Sequence, residues 1–369
     1  MVQSTKARIL EQHRSNLLLN AAAPPLMAQG TRDLSADELF SPIDERLIAS
    51  AAEALDAGHT HYVDVPGIAA LRAAIAAYLH TAFDATFAQN NVIVTAGIQE
   101  SRFLTIQMIG EAFGQIAVPV VAHPGVRKAL GVRSLDVSLI AVDERTLPSL
   151  DSLQAVLNAG TRLIYLESPA RLTGAAYSID EVRSIARLAR EFDATIIWDQ
   201  GLAPWTADYA SLASVNENAD RTVLIGETFP GMGLSSWFIG YIAAPEALVA
   251  PMQSQKQIMA ICTSTAAQYA ALEASRLYAE SLPAQRERLG KLRELAIAAI
   301  ADAHAILPGA AVNVLALRPT GASNREILAR LANAGYSAAD GTAFGAPDVL
   351  RITISPETPA AIAQSLKGA

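Results

Sequence analysis

The sequence predicts an α/β protein with a mainly parallel sheet between helices, and a smaller α+β domain at the C-terminal end. Short apolar runs recur along the chain: NNVIVTAG (90–97), IAVPVVA (116–122), VSLIAVD (137–143), RLIYLES (162–168), ATIIWDQ (194–200), TVLIGE (222–227) and WFIGYIAA (237–244). Between them lie stretches such as SIDEVRSIARLAREF, whose apolar residues fall at helical spacing. Strands that are apolar throughout, rather than alternating, belong to a sheet covered on both faces. Binding sites then fall at the C-terminal ends of the strands.

Taken in order, IAALRAAIAAYLHT (68–81) predicts a helix, and 90–97 a β-branched strand running into a glycine turn. A helix follows from Gln99 to about Phe113. From Pro251 the pattern changes to long helices, QSQKQIMAICTSTAAQYAALEASRLYAE and then PAQRERLGKLRELAIAAIADAHAIL, with Cys262 inside the first. A short α+β tail from Ala311 contains VNVLAL and VLRITIS. The expected organisation is a segment 1–45 packing on the small domain, a large domain 46–255, and an interdomain helix with the small domain at 256–369.

Composition narrows the function classes. The 369 residues are 51% hydrophobic and 17% charged, which excludes disorder for most of the chain. With 28 Lys+Arg against 36 Asp+Glu the net charge is -8, so no cationic field serves nucleic acid or an anionic membrane surface. The lone Cys262 cannot form an intramolecular disulfide or a thiolate metal cluster, and no HExxH, CxxC or Walker loop occurs. No metal is expected. The first residues carry charges where a signal peptide needs an apolar core, and no apolar run is long enough to span a membrane, so the expected location is cytoplasmic.

Segment 62–79, YVDVPGIAALRAAIAAYL, resembles the YxxxxGxxxLRxAIAxY signature of the class I/II aminotransferases, pyridoxal-phosphate enzymes of fold type I. It is followed in that family's order by VTAGIQES (94–101), PVVAHPGV (119–126), ESPARLTGAAYSIDEVRSIARLA (167–189), IIWDQ (196–200), LIGETFPGMGLSSWFIGYIAAP (224–245) and GTAFGAPDVLRITIS (341–355). The resemblance implies a homodimer with a pyridoxal ring over a strand-end Asp, here Asp199, whose carboxylate keeps the ring nitrogen protonated. It further implies a substrate carboxylate on Arg351, Tyr62 reaching across the dimer, and a phosphate on the backbone of Ala96, Gly97 and Ile98 at a helix start.

The same alignment breaks where the chemistry needs an amine. Against the family's GSFSKxxxxxGxRxGY, the segment GETFPGMGLSSWFIGY (226–241) puts Pro230 in the lysine column and Phe238 in that of the phosphate-binding arginine. The phosphate-binding SxS reads Glu227-Thr228-Phe229. The lysines are Lys6, Lys128, Lys256, Lys291 and Lys367, none between 128 and 256. The cofactor-binding Asn aligns with Arg171, the Tyr three after Asp199 with Leu202, and the stacking aromatic with His123.

Each candidate also has a plainer reading. Asp199 could cap a helix or pair with a base, Arg171 could be a solvated loop charge, His123 a turn residue, and Trp205 either a pocket lining or core. The sharper reading takes His123 and Asp199 as a base and its orienter, with Arg171 and Arg351 orienting an amino-acid-like anion and Tyr62 and Trp205 lining its site. Pyridoxal phosphate is then dispensable, and the ligand is a small carboxylate-bearing molecule. Two alternatives stand beside it: non-covalent use of pyridoxal or pyridoxamine phosphate, and a pseudoenzyme or partner subunit without catalysis of its own.

Overall fold

The computed structural model describes residues 31–36, 42–132 and 135–366. Most of the segment 1–45, and with it Lys6 and Lys367, lies outside the described residues. What is described of that segment includes strand β1 (Arg32–Asp33), which pairs in parallel with β11 (Tyr336–Ser337) in the C-terminal part of the chain.

The main sheet has seven strands: β2 (Val92–Ala96), β3 (Gln115–Pro119), β4 (Asp136–Ile140), β5 (Leu163–Glu167), β6 (Thr195–Asp199), β7 (Thr222–Glu227) and β8 (Ile239–Ala243). Their spatial order is β2-β8-β7-β6-β5-β3-β4. Strands β3 to β7 run parallel, whereas β8 is antiparallel to both β7 and β2. The antiparallel strand follows from a short return: β7 and β8 are joined by residues 228–238, which hold only a 3-10 turn and no crossover helix.

Burial on both faces explains why these strands are apolar throughout. Ile164, Leu166, Ile196 and Trp198 enter one core cluster, while the intervening Leu163, Tyr165 and Ile197 enter a second on the opposite face. The helix Ile179–Glu191 begins with a capping box in which Ser178 and Glu181 each satisfy the other's backbone N–H.

Beyond β8 a helix Glu246–Ala260 ends at Ile261, and a second helix runs from Thr265 to Ile300 straight through Pro283. The break therefore falls near 261–264, where Ser264 caps the second helix by accepting from Ala267 N–H. Cys262 lies in that break, half-buried, not inside a helical run as the apolar spacing had suggested. The small domain carries an antiparallel sheet, β9 (Ala305–Ile306), β10 (Val314–Arg318), β12 (Ala339–Asp340) and β13 (Leu350–Thr353), with its own core around Leu315, Ile327 and Ile352.

Candidate active site

Three neighbouring parallel strands each end on an acid: β5 on Glu167, β6 on Asp199 and β7 on Glu227. Such a row of carboxylates at the sheet's C-terminal edge requires compensating charge. Arg102 and Arg171 provide it, and both are buried.

Asp199 is fully buried and both its oxygens are occupied. Oδ2 accepts from Arg102 Nε at 3.0 Å and from Tyr165 Oη at 2.7 Å, with Arg102 Nη2 at 2.9 Å. Oδ1 accepts from Arg171 Nε at 3.2 Å and from the Gly201 N–H at 3.0 Å, with Arg171 Nη2 also at 3.0 Å. Burial alone would raise the Asp199 pKa, but Arg171, Arg102 and the hydrogen bonds outweigh it and hold the carboxyl well below the usual carboxylate range.

Arg171 continues to the next strand, with Nη2 lying 3.2 and 3.3 Å from the two Glu227 oxygens. Its backbone is fixed as firmly as its side chain: the N–H donates to Glu167 Oε2 at 3.1 Å, and the carbonyl accepts from Arg351 Nε at 3.0 Å. Glu167 Oε1 accepts from the His123 N–H at 2.7 Å. Burial, reinforced by the charge of Asp199, pushes the Glu167 pKa up to about 7.

The helix Gly97–Phe113 opens directly off β2, and Gly97 takes φ +72 at the junction, a backbone value glycine tolerates without strain. Its first turn faces a cavity of about 260 Å³, walled in part by Arg102, His123, Glu227, Thr228 and Phe238. The Ala96 N–H is engaged by the Glu100 carboxylate. Glu100 is in turn held by the buried Lys256, whose Nζ lies 3.0 and 2.9 Å from its oxygens and 3.1 Å from Thr263 Oγ1.

The structure therefore brings Asp199, Arg171 and Glu227 into one network, and His123 joins it through its backbone contact to Glu167. His123 Nδ1 accepts from the Gly125 N–H at 3.0 Å as the helix cap, which selects the neutral tautomer carrying its proton on Nε2. In that tautomer neither ring nitrogen is open to accept a substrate proton while the cap stands. Arg351 is buried beneath the network, with Nη1 donating to Ser35 O at 3.0 Å and Thr353 Oγ1 at 3.2 Å. These hydrogen bonds tie the small domain and the N-terminal segment to the Arg171 carbonyl. Trp205 is 4% exposed and packs in the core, its carbonyl accepting from Val312 N–H at 2.9 Å. Tyr62 is 77% exposed.

Sequence reasoning missed Arg102, Tyr165 and the burial of Glu167. Arg102 was detectable: it stands between Ile98 and Ile106 on the stripe of its helix that faces the core, where a charge requires a partner.

A seven-stranded mainly parallel sheet, a long connecting helix, a small antiparallel domain and a strand-end aspartate beside a helix N-terminus define a fold-type I architecture. The chain belongs to the family described as aminotransferase class I and II, whose profile matches residues 33–366. It is 28% identical over 247 residues to the putative aminotransferase YugH of Bacillus subtilis, covering 65% of this chain and 64% of that one. It is 26% identical over 262 residues to an aspartate aminotransferase of Thermotoga maritima, covering 69% and 70%. The first of these alignments thus spans a little under two thirds of its relative. The aromatic aminotransferase structure from Pyrococcus horikoshii OT3 superposes with a TM-score of 0.84 at 20% identity, over 96% of this chain and 97% of that one, a likeness of fold.

Pyridoxal phosphate, the cofactor this family implies, does not fit the residues that line the cleft. A ring nitrogen would have to displace a donor from an Asp199 already saturated by Arg102, Arg171, Tyr165 and Gly201. Pro230, buried in the loop after β7, offers no amine. Lys256 is held by Glu100, and among the described residues Lys128 and Lys291 are exposed. Glu227 and the apolar ring of Phe238 line the cavity where a phosphate clamp would be needed.

Proposed function

We propose that this chain binds an amino-acid-like small anion in the cavity at the start of the helix Gly97–Phe113, and acts on it without forming an imine. The observation that carries the reading is the cavity lining itself: it includes a helix N-terminus and a carboxylate, and no lysine. The N–H groups of Gly97 and Ile98 suit a ligand carboxylate, as the orphan donors of a helix start do. Glu227, with its side chain one-fifth exposed, suits a ligand ammonium and disfavours a phosphate dianion. Among the described residues, the buried Thr228 Oγ1 lining this cavity has no hydrogen-bond partner, and a ligand oxygen would satisfy it. Phe229, Leu234 and Ile239 supply an apolar wall. At about 260 Å³ the cavity is near the lower end of the roughly 300–1,000 Å³ typical of ligand pockets, which favours a small molecule.

In this reading Asp199 and Arg171 set the electrostatic floor of the site, and His123 donates from Nε2. The chain works as a homodimer in the cytoplasm, with Tyr62 offered to the second copy. Exposed apolar side chains at Tyr62, Phe238 and Ile258 support the dimer, and the absence of a helix long and apolar enough to cross a membrane, among the described residues, is compatible with that location.

The test is direct. Purified protein mixed with pyridoxal phosphate should give no visible aldimine band and no borohydride-trapped adduct. A reduced adduct on any lysine peptide would overturn the reading.

A further inference from the structure

We infer that Arg171, with Arg102, is a built-in occupant of the cofactor's place: the two guanidiniums supply the positive partner that the buried Asp199 carboxylate needs, so the strand ends are complete without a bound ring. This deepens the reading above and rests on it.

The reasoning begins with charge. An ionised carboxylate at the end of a central strand, fully removed from water, is tolerated only where cations or strong donors meet it. Here each Asp199 oxygen faces the Nε and Nη2 of one arginine, Oδ1 that of Arg171 and Oδ2 that of Arg102. An arginine keeps its proton at any physiological pH, so this partner, unlike a bound heterocycle, never leaves.

Steric placement points the same way. Gly201 follows the strand end, and a Cβ on it would overlap the Arg171 guanidinium and the Glu227 carboxylate. The glycine backbone therefore forms the seat of the guanidinium. Arg171 is also held through its backbone, its N–H on Glu167 and its carbonyl on Arg351, so the loop that carries it is fixed from both domains. A solvated loop arginine would need none of these contacts.

The consequence is a latent site. Removing the Arg171 side chain takes its Nε and Nη2 from Asp199 Oδ1, leaves that oxygen the Gly201 N–H, and opens space for a protonated pyridine nitrogen. Pyridoxamine is the suitable probe, because it carries that nitrogen without a phosphate that Glu227 would repel.

Calorimetry with pyridoxamine, alongside thermal melts, should find no saturable binding to the wild type and no rise in its melting temperature at millimolar probe. Arg171→Ala should melt lower, recover part of the loss with millimolar methylguanidinium but not with methylurea, and bind pyridoxamine saturably, at least tenfold below the millimolar concentration at which the wild type shows none. Adding Asp199→Asn should abolish that gain. Gly201→Ala keeps every charge in the chain and removes only the seat, so it should also melt lower. Wild-type protein that pyridoxamine stabilises, or an Arg171→Ala variant melting as the wild type does, would overturn the inference. If Arg171→Ala does not fold, the wild-type melt and Gly201→Ala decide, and an unshifted Gly201→Ala melt would overturn it. A borohydride-trapped imine would instead remove the function proposed above, so the two fail on different readouts.

Discussion

Glu167 and Asp199 are register partners at the ends of adjacent strands, and the fold moves their proton affinities in opposite directions. Burial and the neighbouring Asp199 charge raise Glu167, while the two arginines hold Asp199 ionised. Below about pH 7 Glu167 holds a proton, whereas Asp199 stays ionised across the neutral range.

That division predicts how stability depends on pH. From its ordinary value of 4.5 up to about 7, Glu167 binds a proton more tightly in the folded chain than in the unfolded one. The folded state therefore carries the extra proton, and stability falls as pH rises through that window, by on the order of 2–3 kcal/mol. The Asp199 contribution has the opposite sign and is lost only as pH falls below about its ordinary 3.8. Urea denaturation from about pH 5 to about pH 8 should show the decline in the wild type and a flatter profile in Glu167→Gln. An equally steep profile in the variant would place the titrating group elsewhere.

Asp199→Asn should be a severe stability mutation. The amide offers one oxygen where two guanidiniums, a phenol and a backbone N–H now converge, and its NH2 group would point at an arginine. Leaving two buried cations without their counter-charge should cost roughly 3–5 kcal/mol. Denaturant titration checks this, and a loss below about 1 kcal/mol would mean that water already reaches the guanidiniums.

The fold was legible because its signal is local. Ile164 to Leu166 and Ile196 to Trp198 are apolar without interruption, and each run ends on an acid, so the strand and the position of Asp199 both read from the sequence. The direction of β8 was not legible, since a strand's partner depends on the path of the chain between strands, and β7 and β8 are joined without a crossover. The site was only half legible for a similar reason. Arg102, Arg171 and Arg351 meet Asp199 or one another from positions 28 to 180 residues apart in sequence. An arginine has the same letter whether it binds a ligand or a carbonyl, and only its neighbours in space separate the two.

Arg351 illustrates the difference in a form that can be measured. Its Nε and Nη1 reach carbonyls of Arg171 and Ser35, which a single lysine ammonium cannot span together. Arg351→Lys should therefore destabilise the folded chain by on the order of 2–3 kcal/mol through buried carbonyls left without donors. A ligand-binding arginine would leave the melting temperature nearly unchanged when replaced and would weaken ligand affinity alone. Thermal melts of the variant without any ligand distinguish these outcomes.

Phe238 offers a test of the homodimer that separates interface from surface. Its ring is 64% exposed at the rim of the cavity, beside Gly97, and its backbone has φ +52, a left-handed value that disfavours a side chain and suits glycine. An isolated chain gains little from holding an aromatic ring there, so Phe238→Gly should leave the monomer at least as stable, by up to about 1 kcal/mol. If a second copy covers the ring, the same substitution removes an apolar anchor from the interface and weakens the dimer at least roughly tenfold, the equivalent of about 1.4 kcal/mol. Sedimentation velocity across a dilution series, paired with urea melts at low protein concentration, reads the two effects independently. A stable monomer with weakened self-association places Phe238 between the copies; unchanged self-association leaves it on an open surface.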